Sequence, residues 1–266
     1  MDSGFCYKQF MSEGRLTLGL VLLFLSALYP GSTVAADNSC IACHQDSSFF
    51  AQYPKLHEYY QQWLGSPHNQ AGLGCDDCHG GDASAASMQA AHVNVLPMGD
   101  EDSTLHFQAQ PDTCGQCHSN NRRQFVQSKH YAALMSDRAA PTCTTCHPAM
   151  SRRPELRNIV VNACRNCHGE GNTADLPLIA DKAADVFSKL NIAGGLLGWT
   201  RIHYESRDWP NDSEQHVRDL EKRHADIISH VHQFDLQQTE TATIGLLADL
   251  RNIFEEARDA FEQQSE

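Results

Sequence analysis

The sequence has little that would hold it in a membrane or on a nucleic acid. Its leading apolar run, Leu16 to Leu28, is 13 residues long, whereas a helix needs about 20 to span a bilayer. Basic residues are outnumbered, with 20 Lys and Arg against 33 Asp and Glu, and the formal net charge of −13 speaks against a polyanion or an anionic lipid surface as partner. Sustained apolar periods are scarce between residues 40 and 168, a segment rich in Gly, Ser, Asn, Asp and Pro. Such a segment cannot bury an ordinary side-chain core. Beyond Gly171 there is no cysteine at all.

What the chain does have is a repeated spacing of cysteine and histidine. Cys40-Ile41-Ala42-Cys43-His44, Cys75-Asp76-Asp77-Cys78-His79, Cys114-Gly115-Gln116-Cys117-His118, Cys143-Thr144-Thr145-Cys146-His147 and Cys164-Arg165-Asn166-Cys167-His168 use ten of the 11 cysteines, and no CxxC lacks its histidine. Two thiols spaced in this way can add across the two vinyl groups of one porphyrin, and the next residue can turn its imidazole onto the iron. Zinc ribbons use CxxC pairs but do not require a histidine after each. Disulfides in an exported chain would use the same thiols, yet give no reason for the histidines. The pattern implies five covalently bound haem c groups. Cys40, Cys43, Cys75, Cys78, Cys114, Cys117, Cys143, Cys146, Cys164 and Cys167 would form the thioethers, and His44, His79, His118, His147 and His168 would be the proximal ligands.

The amino terminus agrees with that chemistry. Lys8 and Arg15 precede the apolar run, and Val34-Ala35-Ala36 offers a small-residue cleavage site before Asp37, so residues 1–36 read as a cleaved secretory signal rather than a retained anchor. A start at Met11 would leave Cys6, the cysteine outside the motifs, out of the protein. Export implies a periplasmic protein with no stable membrane insertion. Its acidity would suit steering toward a basic face on a redox partner, or plain solubility.

About 230 residues remain after residue 36, the size of one or two domains. All five motifs fall in residues 37–170, where porphyrins would replace the missing side-chain core, with short helices at the motifs and loops elsewhere. Residues 171–266 carry helical periodicity instead. Ile179, Ala183, Val186, Phe187 and Leu190 line a first helix that Gly194 and Gly195 should end. A second begins after Pro210 with a capping box at Asp212 and Gln215, and its stripe is Val217, Leu220, His224, Ile227, Val231 and Phe234. A third has Leu247, Leu250, Phe254, Ala257 and Phe261, backed by Leu246, Ile253 and Ala260. The expected fold is mainly α: a loop-rich pentahaem domain with haems as core, then long amphipathic helices. Those helices would cover the haems, each other, or a second subunit in a homo-oligomer.

A second repeat lies between the motifs. Trp63-Leu64-Gly65-Ser66-Pro67-His68 precedes the second CxxCH and Phe125-Val126-Gln127-Ser128-Lys129-His130 precedes the fourth, both as aromatic-x-x-Ser-x-His. A low-spin haem needs a second strong axial ligand, which makes His68 and His130 distal candidates. A short loop does not easily fold back over the haem it has just attached, so each should serve a different haem. Ser66 and Ser128 could cap a short helix bearing the ligand. His92 and His224 are further distal candidates, the latter because it interrupts an apolar stripe. His57, His106, His203, Met98 and Met150 follow them, while His216, His230 and His232 should face solvent.

The order Cys40 to His44, Trp63-x-x-Ser66-x-His68, then Cys75 to His79 followed by Gly80 resembles the tetrahaem cytochrome c family of nitrifying bacteria, within the wider group of hydroxylamine oxidoreductase and pentahaem nitrite reductase. The likeness covers roughly residues 40 to 168 and is specific for multihaem cytochromes rather than for one member. It implies haems in stacked and perpendicular pairs, mostly bis-histidine, with the proximal roles above and a distal role for His68 and His130. The chain departs from pentahaem nitrite reductase in its shorter length and in ending every motif with His where that enzyme carries its active haem on CxxCK.

These features point to electron transfer between redox partner proteins, such as a quinol dehydrogenase, a periplasmic reductase or another cytochrome. The alternative is an oxidoreductase acting on a small nitrogen or sulfur compound at one five-coordinate haem. No catalytic residue stands out for it.

Overall fold

The structure, a computed structural model, describes residues 38–136, 138–147, 150, 156–169, 178–205 and 212–264. The leader expected over residues 1–36 lies outside them. Among the described residues every regular element is helical. The chain opens with α1 (Ser39–His44), α2 (Ser47–Gln52), α3 (Pro54–Leu64), α4 (Pro67–Gln70), α5 (Asp76–His79) and α6 (Met88–Ala91). Then follow α7 (Gln110–Gly115), α8 (Ser119–Phe125), α9 (Lys129–Leu134), α10 (Cys143–Cys146) and α11 (Leu156–His168). The carboxyl-terminal part consists of α12 (Ile179–Glu205), α13 (Asp212–His230) and α14 (Leu236–Gln264), with a 3-10 turn at Val231–Gln233 before α14.

The last three helices pack on one another. Val186, Leu220, Leu246 and Leu250 lie at their centre with essentially no exposure; burial of one such side chain contributes about 1.5–3 kcal/mol. Cys164 of α11 packs against the same cluster, so the fifth motif is fastened to the bundle. Motifs one to four sit on or beside short helices as expected, whereas the fifth ends a 13-residue helix.

Three helical expectations change. Gly194 and Gly195 do not end α12, which runs on to Glu205. A Cβ on Gly194 would lie 3.3 Å from His224 Cε1, so the glycine lets α13 approach closely, and tertiary packing outweighs its poor helix propensity. Helix α13 stops at His230, leaving Val231 and Phe234 in the corner beyond it. Helix α14 begins at Leu236 and buries Leu246, Leu250 and Ile253, while Phe254 is partly exposed. Its buried stripe includes Thr239 and Thr243, whose hydroxyls donate to the carbonyls of Asp235 and Thr239 at 2.8 and 2.7 Å. The capping box at Asp212 and the side chains of Ala257, Ala260 and Phe261 lie outside the described residues.

Candidate functional site

The aromatic-x-x-Ser-x-His repeat folds the same way twice. Trp63 and Phe125 are both buried at 7% exposure, and Ser66 and Ser128 are buried behind them. Ser66 accepts from the Asn69 amide at 3.2 Å with backbone angles of −84° and 158°, and Ser128 accepts from the Tyr131 amide at 3.0 Å with −81° and 155°. Each serine thus satisfies an orphan amide at the start of a short helix, and the histidine follows on its first turn. The Trp63 indole also donates to Leu73 O at 3.0 Å, fixing the aromatic end of that copy. A related turn occurs at Ser87, which accepts from the Ala90 amide at 3.3 Å and caps α6 before His92.

The histidines meet in pairs. Ring centroids are 6.2 Å apart for His44 and His92, 6.2 Å for His68 and His118, 6.0 Å for His130 and His168, and 6.0 Å for His147 and His232. A first-row metal–imidazole bond is about 2 Å and the ring centre lies roughly 1 Å behind the nitrogen, so two trans imidazoles put their centroids roughly 6 Å apart. Among the described residues no three His, Cys, Asp or Glu side chains gather as a bare metal ion would need. Pairing in twos suits an iron whose equatorial ligands come from a porphyrin. The Nδ1 atoms of His130 and His168 are buried without a hydrogen-bond partner among the described residues. By spacing and donor set, the residues present fit haem c.

Electrostatics agree with neutral, ligand-ready rings. Burial lowers the pKa of His44, His79, His130 and His232, with the neighbouring imidazoles His92 and His79 adding to it at His44 and His168 adding to it at His130. The neutral imidazole is the form that binds a metal.

The cysteines show how the motifs follow one another. All ten described cysteines carry free thiols, so the motif pairs are not disulfides here. Burial and then the neighbouring Cys40 push Cys75 up to about 11, and burial and then Cys114 raise Cys78. Cys114 is raised, and Cys143 lowered, by the hydrogen bond between them. Burial followed by Cys164 and Cys167 pushes Cys146 up to about 11. Each motif therefore feels the next, in chain order from the first to the fifth.

Polar contacts stitch the same order together. Asn38 donates to Asp76 at 3.2 Å between the first and second motifs, and Thr104 donates to Cys78 O at 2.8 Å on the path to the third. Gln110, buried on α7, accepts from the Thr144 hydroxyl at 2.9 Å inside the fourth. Gly80 and Gly81, at φ of +73° and +93°, turn the chain after the second motif; a Cβ at Gly81 would lie 2.5 Å from Ala91 O, which only glycine avoids.

The other sequence candidates are placed differently. His224 is half-buried between helices with Nε2 3.4 Å from Leu190 O, and meets no motif histidine among the ring contacts. His57 touches Phe50 at 4.9 Å, with its Nδ1 buried and unpartnered among the described residues. His106 is buried against Phe107 at 4.0 Å. Met98 is exposed, Met150 is half-buried, and the His203 side chain lies outside the described residues. His216 faces solvent as expected, whereas His230 and His232 are half-buried. Sequence reasoning missed the placement of His232 and the bridge made by Gln110. Neither carries a local signal, since both act through partners far along the chain.

No family model and no solved structure matches the chain. Over 133 residues it is 32% identical to the C-type polyheme cytochrome OmcB of Geobacter sulfurreducens, a stretch amounting to 44% of this chain and 14% of that protein. Over 137 residues it is 26% identical to the Multiheme cytochrome MtrA of Shewanella baltica, covering 49% of this chain and 37% of MtrA. The chain thus spans well under half the length of these relatives, both multihaem cytochromes by name and the first a c-type one. The finer resemblance to nitrifier cytochromes receives no support from them.

Proposed function

We propose that the protein is a periplasmic pentahaem c-type cytochrome that passes electrons between redox partner proteins through a row of closely spaced haems. The observation that carries this is the pairing of four motif histidines with a second histidine at 6.0–6.2 Å. Similarity to multihaem cytochromes over 44–49% of the chain supports the cofactor type. Haem, when bound, would supply an iron able to pass between ferric and ferrous states.

The residues of the chain do the rest. Paired cysteines would anchor each porphyrin, and His44, His79, His118, His147 and His168 would take the proximal positions. His68 pairs with His118 and His130 with His168, so in both copies of the repeat the distal histidine reaches a haem that is not attached next to it in sequence. His92 pairs with His44 and donates from Nδ1 toward Met88 O at 2.8 Å, which fixes the tautomer and leaves Nε2 for the metal. Each such histidine ties two sites together. Histidine pairs keep potentials below those of His/Met haems. Among the described residues no helix is long and apolar enough to cross a membrane, and acidic residues leave the surface suited to a basic partner face.

Electron paramagnetic resonance of the oxidised protein, with a redox titration, tests this. Low-spin ferric signals and low midpoint potentials are expected. A set of His/Met-like potentials would overturn it.

One observation favours a second reading. Among the described residues His79 meets no imidazole at the spacing of the other four. An open axial position there would support reduction or oxidation of a small nitrogen or sulfur compound, with His57 or His106 as proton donor. A high-spin ferric signal that shifts with added nitrite or hydroxylamine would favour this enzyme over the carrier.

A further inference from the structure

We infer that His232, at the corner between α13 and α14, is the distal ligand of the haem attached at Cys143, Cys146 and His147, so the carboxyl-terminal bundle completes the haem array. The inference rests on the multihaem reading above and assigns one of its axial positions to a segment beyond the last CxxCH.

Two independent observations support that role, and a parallel at His92 strengthens the second. Its ring lies 6.0 Å from that of His147 with the planes 20° apart, the same separation as the three other pairs. Its Nδ1 sits 3.0 Å from Ser229 O and 3.2 Å from Ile228 O. Carbonyl acceptors require a proton on Nδ1, which leaves the Nε2 lone pair free, as is usual for histidines that hold metals. His92 has the same arrangement on Met88 O. Equivalent second contacts at two ends of the chain argue for equivalent use.

The corner that presents His232 is itself unusual. Phe234 adopts φ of 61°, a left-handed conformation that a bulky aromatic rarely takes and that persists only where surrounding contacts impose it. Its ring packs 4.3 Å from that of His130 and 6.1 Å from that of Phe125. The strained residue is thus held against the second copy of the aromatic-x-x-Ser-x-His repeat, two positions after His232. Gln233, between them, donates to Gln124 of α8. His232, Gln233 and Phe234 thus all face the motif half, while Val231 packs on the bundle. A helical cover alone would not need a strained turn seated there.

The geometry also predicts a spectroscopic signature. Nearly parallel imidazole planes split the iron orbitals that they overlap and give a rhombic low-spin signal, whereas nearly perpendicular planes leave those orbitals close in energy and give a highly anisotropic one. His147 and His232 are 20° apart, against 39° for His44 and His92, 63° for His130 and His168 and 72° for His68 and His118, so theirs is the most nearly parallel pair. His232 should therefore support a rhombic component.

The test uses the full exported chain. In the His232→Ala variant, five haems remain by intact mass, one of them becomes high-spin with loss of rhombic signal, and added imidazole restores it. His232→Met, which keeps a ligand, raises the potential of one haem and leaves the others in place; this variant carries the test if the alanine protein fails to assemble. His216→Ala, an exposed site on α13, changes nothing. Unaltered low-spin content and potentials in both His232 variants overturn the inference while leaving the electron-transfer reading intact. A wild-type protein without five haems by mass overturns that reading and this inference together.

Discussion

Among the described residues, thirteen buried hydrophobic side chains lie in the three carboxyl-terminal helices, against five, with Pro111 besides, in residues 38–169, although the latter stretch contributes more of the described chain. The bundle buries aliphatic stripes against each other and forms ion pairs on its surface, such as Lys182 and Lys189 with Glu240 at 2.9 and 2.6 Å. Among its described residues the motif half buries Ile41, Trp63, Phe125, Leu134, Val161 and Pro111, while Phe50, Tyr53, Leu56, Met88 and Met98 remain exposed. It is held by serine caps, carbonyl-directed side chains and cysteines in sequence. Two ways of reaching a folded state sit in one chain: one side-chain core, and one arrangement that needs a large apolar group to fill it.

The largest expected effect breaks this contrast outright. Produced where haem is not attached, the chain should lose residues 38–169 to limited proteolysis while residues 178–264 persist as a protected helical fragment; equal protection of both halves would show that the motif half has a core of its own. Next come the histidines of the repeat. His68→Ala and His130→Ala should each convert one haem from low to high spin with all five still attached, measured by paramagnetic resonance and intact mass. Similar behaviour of the two variants is expected, because their serine caps form with nearly the same backbone angles.

Smaller effects sharpen the bundle side. Leu250→Ala removes a side chain with 0% exposure and should cost about 2–5 kcal/mol of bundle stability, read by chemical denaturation, with the haem count unchanged. The smallest concerns Glu240, whose carboxyl is held down to about 2 first by the hydrogen bond from Lys189 and then by that from Lys182. A depressed carboxylate pKa stabilises the fold above the unfolded value of about 4.3, and that stabilisation fades as pH falls toward 2. Glu240→Gln should flatten this part of the acid-unfolding profile and leave neutral-pH spectra untouched.

Much of the site was legible because it is local. CxxCH spacing and the Ser-x-His turn are decided within a few residues, and the serine caps at Ser66 and Ser128 formed as their spacing suggested. Helix existence in the carboxyl-terminal part was legible too, from the period of Val217, Leu220 and Ile227. Other features depend on distant partners. Gly194 reads as a stop until His224 is packed against it. Thr239 and Thr243 fall outside the apolar stripe read for the last helix, yet both are buried because their hydroxyls find the carbonyls one turn back. His232 reads as solvent-facing until a strained corner carries it to His147.

The central claim, that haem fills the motif half, is tested most directly by the intact mass of the exported protein under denaturing, reducing conditions. A mass equal to the processed chain plus five covalent haem groups is predicted. A mass equal to the polypeptide alone, or one with fewer haems than motifs, would contradict it.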